Sequence, residues 1–266
     1  MKQRIITAII AALLFVPFVV YGGTPLTIVI YIIAAVGLFE MLKMRNLSLF
    51  SVPGILALVG LFAMLMPEGW ESAIIDATSY SKLEWLVLVT ALLLIYVVLK
   101  KNKFTFDDVG FLLVSVFYVG VGFYYFMATR DASDGLLYIV FALVVVWSTD
   151  SGAYFVGRKL GKNKLWPEIS PKKTVEGFVG GIIIAIIAVF IFEMITHLEV
   201  QWWKLIVVTI VASIVGQMGD LVESAIKRHY GVKDSGKILP GHGGILDRFD
   251  SLLFVLPLLH FLHFVG

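Results

Sequence analysis

Residues 224–250 concentrate the groups of this chain that could do chemistry. Three carboxylates, five basic side chains, two histidines and five glycines fall within this one stretch. Its charged residues are Lys227, Arg228, Lys233, Asp234, Lys237, Asp247, Arg248 and Asp250. A divalent metal needs oxygen ligands, and phosphates need cations and close backbone approach. The composition therefore predicts a site for a divalent metal and phosphates.

Asp220 joins this group because it begins a polar stripe along a predicted helix. Gly216, Asp220, Glu223, Ser224 and Lys227 recur at helical spacing in GQMGDLVESAIKR, so their side chains share one face. A solvated helix end would explain Lys227 but explains Asp220 poorly, since the preceding residues are nearly all apolar. We interpret Asp220 as a metal ligand.

Asp247 and Asp250 are three residues apart, so both lie on one face if a helix begins near Ile245. Carboxylates at a helix N-terminus can also be simple caps, because they are stabilised by the helix dipole. Two carboxylates converging with Asp220 would repel one another unless a cation lay between them. Mg²⁺ suits oxygen ligands and bridges substrate phosphates, so a magnesium site is the prediction, with a second cation left open.

Two further features lie outside this stretch. Asp150 falls within an apolar segment, where a charge is a functional candidate; a helix-to-helix hydrogen bond is the alternative. Lys172 and Lys173, in SPKKTVEG, directly precede a glycine-rich helix start. Lysine and helix N-termini both favour phosphate, although contact with anionic lipid headgroups would also explain basic residues here. The chain contains no Walker A sequence or dinucleotide fingerprint.

The composition that must position these residues is that of a membrane protein. The chain of 266 residues is 59% hydrophobic and only 15% charged, against roughly 25% charged residues in soluble domains. The absence of cysteine excludes disulfides, cysteine-ligated zinc, iron–sulfur clusters and cysteine nucleophiles. Apolar runs recur along the whole length, which predicts one all-α, polytopic membrane domain over residues 1–266. Residues 1–135 would form a scaffold or dimerisation part, and residues 136–266 a catalytic part.

Nine candidate transmembrane helices follow from the apolar runs. They lie near 5–21, 26–42, 52–66, 84–99, 108–128, 136–157, 177–196, 203–221 and 246–265. A cytoplasmic N-terminus places all but three of the 21 Lys and Arg residues on the inner side. The exceptions are Lys82, Arg130 and Lys204. Nine spans then place Gly266 outside.

The polar stretch resembles the signature of the phosphatidate cytidylyltransferase (CDP-diacylglycerol synthase) family. That signature is long, and this sequence meets it throughout. The matching residues are Ser224, Ile226, Lys227-Arg228, Lys233-Asp234, Gly236, Leu239-Pro240, His242-Gly243-Gly244, Ile245, Asp247-Arg248, Phe249 and Asp250. Asp150, the SPKKTVEG segment and Gly219-Asp220 also resemble the family, so the resemblance covers residues 146–250.

The resemblance implies an Mg²⁺-dependent enzyme that converts CTP and phosphatidate into CDP-diacylglycerol and pyrophosphate. It also implies a site on the cytoplasmic face of a bacterial-type plasma membrane, contacts with membrane lipids, a homodimer and no nucleic-acid partner. Asp220, Asp247 and Asp250 would hold metal and act in catalysis with Lys172 and Lys173. Phosphate or substrate contacts would come from Asp150, Ser170, Lys227, Arg228, Lys237, His242, Gly243, Gly244 and Arg248.

Two other functions stay open at this point. A CTP-dependent polyprenol or phytol kinase would share the metal, the nucleotide and a lipid substrate. A secondary transporter would need ionisable groups near the membrane midplane and inverted repeats. The charges of this chain gather toward one predicted face, and no internal repeat is visible.

Overall fold

A computed structural model of the chain describes residues 2–198 and 200–265. Over these residues the chain forms eleven helices and one antiparallel hairpin of two strands. The helices are α1 (Lys2–Tyr21), α2 (Gly23–Met44), α3 (Val52–Leu65), α4 (Glu68–Thr78), α5 (Lys82–Leu99), α6 (Phe106–Asp131), α7 (Gly135–Leu160), α8 (Val175–Thr196), α9 (Trp202–His229), α10 (Leu246–Phe249) and α11 (Leu252–Phe261). The strands are β1 (Lys164–Trp166) and β2 (Ser170–Thr174).

The predicted all-α membrane fold is confirmed. Across the described residues, six helices are long and apolar enough to cross a membrane, namely α2, α5, α6, α7, α8 and α9. Shorter apolar helices cover Ile6–Tyr21, Val52–Leu65 and Leu252–Phe261, so each of the nine predicted segments contains helix. The count of nine spans and the orientation of the termini stay predictions, and Gly266 lies outside the described residues.

Helix α9 continues beyond the predicted span near 203–221 to His229 and includes the predicted helical polar stripe. The structure differs from the predicted elements at three places. The last predicted span is interrupted between α10 and α11. The short amphipathic helix α4 and the β1–β2 hairpin were not predicted. The sequence of α4 contains Glu68, Glu71 and Asp76, so it lacks the apolar run on which the prediction of helices relied.

The chain forms two compact units. The first comprises Met1–Ala128 and Ser235–Leu246, and the second comprises Thr129–Asp234 and Asp247–Gly266. In the first unit α2 packs against α1 and α3, and α3 packs against α5. In the second unit α8 and α9 pack against α7 and against each other, and α11 packs on α9 and α7. The predicted single domain, divided near residue 135, stays a prediction.

Glycines let α7 and α8 approach unusually closely. A Cβ atom added at Gly181 of α8 would lie 2.8 Å from the carbonyl oxygen of Thr149 on α7. One added at Gly180 would lie 2.5 Å from a methyl carbon of Val156. Without a driving force from water, helices in a membrane associate through such small residues and the van der Waals contact they permit. This contact fixes the position of Asp150, one residue after Thr149.

We predict that Gly181→Ala destabilises the protein, because its methyl group would meet backbone rather than a side chain that can move. Overpacking of this kind costs about 1–3 kcal/mol. Gly110→Ala on α6 is the matched control, since its Cβ would have nothing within 4 Å. Thermal unfolding in detergent should show a lower midpoint for Gly181→Ala only. Equal midpoints for the two variants would contradict the described α7–α8 contact.

Candidate active site

A cavity of about 370 Å³ opens within the second unit. Helix α7, the hairpin, the start of α8 and the polar face of α9 surround it. Its lining combines acidic, basic and small residues: Asp150, Ala153, Tyr154, Gly157, Arg158, Leu165, Lys172, Lys173, Thr174, Gly177, Phe178, Gln217 and Asp220. The structure therefore brings together four residues that the sequence predicted for the site, Asp150, Lys172, Lys173 and Asp220.

An ion pair joins the hairpin to α9 at this cavity. Lys173 Nζ lies 2.8 Å from Asp220 Oδ2, and both side chains are partly exposed. The same ammonium group donates to the carbonyl oxygen of Gln217 at 3.4 Å. Ser224 Oγ donates to the other Asp220 oxygen at 3.3 Å. Each carboxylate oxygen of Asp220 therefore has a partner, which fixes the orientation of the side chain. The ammonium group of Lys173 lies at the cavity, where it could also bind a second anion.

The hairpin that carries the lysines is fastened at its base. Strand β2 pairs with β1 through Thr174 opposite Lys164 and Ser170 opposite Trp166. Thr174 Oγ1 accepts the backbone N–H of Gly177 at 3.1 Å and caps α8. The Glu176 carboxylate accepts from the Lys162 N–H at 3.1 Å and from Asn163 Nδ2 at 2.8 Å. These contacts hold the hairpin, and therefore Lys172 and Lys173, against the start of α8.

A second charged cluster surrounds Lys227 on α9. Lys227 Nζ lies 2.6 Å from Glu223 Oε2 and 2.6 Å from Asp247 Oδ1. Glu223 and Lys227 are only 1% and 7% exposed, and Glu223 Oε1 has no hydrogen-bond partner among the described residues. An ammonium group between two carboxylates compensates the large cost of removing them from water. In this arrangement Lys227 holds Asp247, and its predicted contact with phosphate stays a prediction.

Asp150, Asp220 and Asp250 lie close enough for their charges to act on one another. The positive charges of Lys173 and Arg248 also act on Asp150. The cavity and the cluster around Lys227 together contain five carboxylates, from Asp150, Asp220, Glu223, Asp247 and Asp250, and five basic side chains, from Arg158, Lys172, Lys173, Lys227 and Arg248.

This donor set suits a divalent cation. Carboxylate oxygens are the ligands that Mg²⁺ prefers. Over residues 2–198 and 200–265, no three His, Asp or Glu side chains form a ready-made metal cage. Mg²⁺ does not require one, because it commonly binds through one or two carboxylates, water and substrate phosphates. The predicted joint ligation by Asp220, Asp247 and Asp250 stays a prediction.

The remaining predicted residues occupy other positions. Ser170 begins β2, and Arg228, at the exposed end of α9, donates to the carbonyl oxygens of Ile169 and Val232. Arg248 lies on α10 and is exposed. Lys237, His242, Gly243 and Gly244 belong to the first unit, in the segment Ser235–Leu246.

The segment Ser235–Leu246 contains the predicted tight turn. Gly243 has a φ of +84°, a value that glycine adopts without strain. Its carbonyl oxygen accepts the N–H of Leu239 at 3.0 Å, and the His242 N–H donates to the Leu239 carbonyl at 2.8 Å. His242 Nδ1 is buried without a hydrogen-bond partner among the described residues. Lys237 is exposed on the same segment.

Sequence reasoning missed four polar residues of the cavity lining: Tyr154, Arg158, Thr174 and Gln217. Gln217 follows Gly216 of the polar stripe and donates through Nε2 to the carbonyl oxygen of Phe178 at 3.3 Å. Tyr154 and Arg158 lie one and two turns after Asp150 on α7, and their side chains are 3.3 Å apart. The helical spacing from Asp150 was the signal that would have found them.

A family model described as "Cytidylyltransferase family" matches residues 2–265 of the chain. The chain is 54% identical over 263 residues to the phosphatidate cytidylyltransferase of Bacillus subtilis (strain 168), an alignment covering 98% of this chain and 97% of the relative. It is 52% identical over 262 residues to the enzyme of that name from Staphylococcus haemolyticus (strain JCSC1435), with 98% of each chain covered. A third relative of that name, from Staphylococcus epidermidis (strain ATCC 12228 / FDA PCI 1200), is 49% identical over 265 residues, with 98% of each chain covered.

We predict that Lys173→Ala lowers kcat/KM for the nucleotide substrate, because it removes a cation from the cavity and leaves Asp220 without its 2.8 Å partner. A hydrogen bond to a charged group contributes about 1.5–3 kcal/mol, which corresponds to a loss of about 10- to 150-fold. Lys159→Ala is the control, since Lys159 is exposed near the end of α7 and outside the cavity lining. Steady-state kinetics with equal kcat/KM for both variants would exclude Lys173 from substrate contact.

Proposed function

The chain belongs to the cytidylyltransferase family, and we propose that it transfers CMP from CTP to phosphatidate, forming CDP-diacylglycerol and pyrophosphate. The full-length similarity to enzymes named phosphatidate cytidylyltransferase supports this reaction. The observation that carries it at the level of chemistry is the cavity that combines Lys172 and Lys173 with Asp220. Adjacent cations suit a triphosphate, and a neighbouring carboxylate suits the metal ion that accompanies it.

The reaction needs alignment more than it needs a strong base. A phosphate monoester is largely dianionic near neutral pH, because its second pKa is about 6. An oxygen of the phosphatidate phosphate therefore attacks the α-phosphorus of CTP directly. The new bond joins that oxygen to the α-phosphorus, the bond from the α-phosphorus to the bridging oxygen breaks, and pyrophosphate leaves. The site must hold two anions in line and neutralise the charge that builds on the leaving group.

We assign these tasks to the side chains of the two charged clusters. Lys172 and Lys173 contact the phosphates of CTP, which draws Lys173 away from Asp220 when the nucleotide binds. Asp220, Asp247 and Asp250 would hold Mg²⁺, which would supply electrostatic neutralisation of the triphosphate. Lys227 keeps Asp247 in place through its 2.6 Å ion pair. Arg248 and the His242-Gly243-Gly244 turn provide further phosphate contacts.

The proposed location of the site is the cytoplasmic boundary of the membrane. The protein is an integral membrane protein with helices long enough to span the bilayer, and most of its Lys and Arg residues fall in the predicted inner connections. Soluble CTP and the phosphate of a membrane lipid can meet at such a boundary. A homodimer in the membrane is also part of the proposal.

Position-labelled CTP tests the reaction. We expect label from the α-phosphate of CTP to enter the lipid product, and label from the γ-phosphate to leave as pyrophosphate, when purified protein is incubated with phosphatidate and Mg²⁺. Chelation of Mg²⁺ should stop the transfer, and added Mg²⁺ should restore it. Entry of γ-label into a lipid, with CDP as the other product, would instead identify a lipid kinase. If the protein reconstituted in liposomes transported ions but formed no labelled lipid, it would be a transporter.

We predict that Asp250→Ala assembles normally but has at least 100-fold lower activity, because the change removes a metal ligand and relieves repulsion with Asp220. Unfolding in detergent should occur at or above the wild-type temperature in the absence of Mg²⁺. Asp76→Ala, at an exposed position of α4, is the control and should retain full activity. Wild-type turnover by Asp250→Ala at saturating Mg²⁺ would remove Asp250 from the site.

A further inference from the structure

Glu40 is a buried carboxylate in the apolar helix α2. It is 1% exposed, and it is the only charged residue between positions 26 and 42. A carboxylate in such a place is costly unless strong donors surround it. Like Asp150 and Asp220, Glu40 is a charged residue within a predicted span, and such a residue is a functional candidate.

The donors to Glu40 come from both ends of one segment. Glu40 Oε2 accepts from Ser235 Oγ at 3.1 Å, at the start of Ser235–Leu246. At the other end, Oε1 accepts the Ile245 N–H at 2.9 Å and Oε2 accepts the Leu246 N–H at 3.0 Å. One carboxylate therefore accepts hydrogen bonds from both ends of a twelve-residue segment. Its contacts with two backbone N–H groups also satisfy donors at the beginning of α10.

Two glycines leave space for the Glu40 side chain. Gly236 and Gly244 leave room for the carboxylate, since a Cβ atom at either position would collide with Glu40 Oε1. One turn earlier on α2, Gly37 receives the side chain of Leu246, whose Cδ2 would be 3.1 Å from a Cβ at that position. The contact surface of α2 thus matches the segment in shape as well as in hydrogen bonding.

We propose that Glu40 is a positioning residue that fixes the conformation of Ser235–Leu246, and with it the His242-Gly243-Gly244 turn, for CTP binding. This inference rests on the proposed function for its connection to CTP. A flexible segment would have to be ordered when the nucleotide binds, and that ordering would lower the affinity. By holding both ends, Glu40 makes the segment pre-ordered.

A carboxylate suits this position because the Ser235 hydroxyl and the N–H groups of Ile245 and Leu246 all donate to it. An ionised carboxylate only accepts hydrogen bonds and can accept about four. The amide of Glu40→Gln has the same size but turns an NH₂ group toward one or more donors, so it loses at least one bond and repels a donor. Glu40→Asp retains the charge but is one carbon shorter, so it should recover part of the effect.

The experiment compares Glu40→Gln, Glu40→Asp and Glu193→Gln with the wild type. Glu193 is the matched control because it is also buried within a helix, α8, and accepts a backbone N–H, that of Leu198 at 3.2 Å. Three quantities are measured on the full-length protein in detergent. They are KM and kcat for CTP and for phosphatidate, the unfolding midpoint, and amide hydrogen exchange of the peptides covering 235–246.

We expect Glu40→Gln to raise KM for CTP about tenfold or more, with a smaller change in KM for phosphatidate. Exchange in 235–246 should become faster while exchange in 202–229 does not change. Glu40→Asp should fall between Glu40→Gln and the wild type, and Glu193→Gln should match the wild type in both KM values. The proposal would be overturned if the activity of Glu40→Gln fell only in proportion to the amount of folded protein while its KM for CTP was unchanged.

The exchange measurement separates this inference from the proposed function. If the wild type makes no CDP-diacylglycerol, the proposed function fails. Faster amide exchange of 235–246 in Glu40→Gln would still support the role of Glu40 in ordering this segment. Unchanged exchange in that variant overturns this role, whatever the kinetics show.

Discussion

Charges in the second unit are arranged by the need to neutralise one another, because an unpaired ion removed from water costs several kcal/mol. Lys173 lies 2.8 Å from Asp220, and Lys227 lies 2.6 Å from each of two carboxylates. The same arrangement would let the site exchange a lysine contact for a metal contact when CTP arrives. The ion pairs hold the carboxylates of Asp220 and Asp247 in defined positions.

Helix packing supplies the precision that these charges need. Gly180 and Gly181 bring α8 against α7, and Gly219 brings α9 against the chain at Asp250, whose carbonyl oxygen would be 2.8 Å from a Cβ at that position. Close backbone contact leaves little freedom for the side chains carried by these elements. The positions of Asp150, Asp220 and Asp250 therefore depend on glycines that are not part of the cavity lining.

The sequence predicts the helices well because their signal is the length of an apolar run, and that signal survives without tertiary information. It also predicts that Asp220 and Lys227 lie along one face of α9, since helical spacing is local. The β1–β2 hairpin could not be predicted in this way, because Ser170, Pro171 and two lysines lack the alternation of a strand. Glu40 was overlooked for a different reason: its donors are about 200 residues away in the sequence, so its role appears only in the folded chain.

A structure with Mg²⁺ and a non-reactive CTP analogue tests the central claim, that Lys173 and Asp220 exchange their mutual contact for substrate and metal. The account predicts phosphate oxygens within hydrogen-bond distance of Lys173 Nζ and a metal ion bound to Asp220, with the Lys173–Asp220 distance longer than 2.8 Å. A bound nucleotide that leaves this ion pair intact and places its phosphates away from Lys173 would contradict the account.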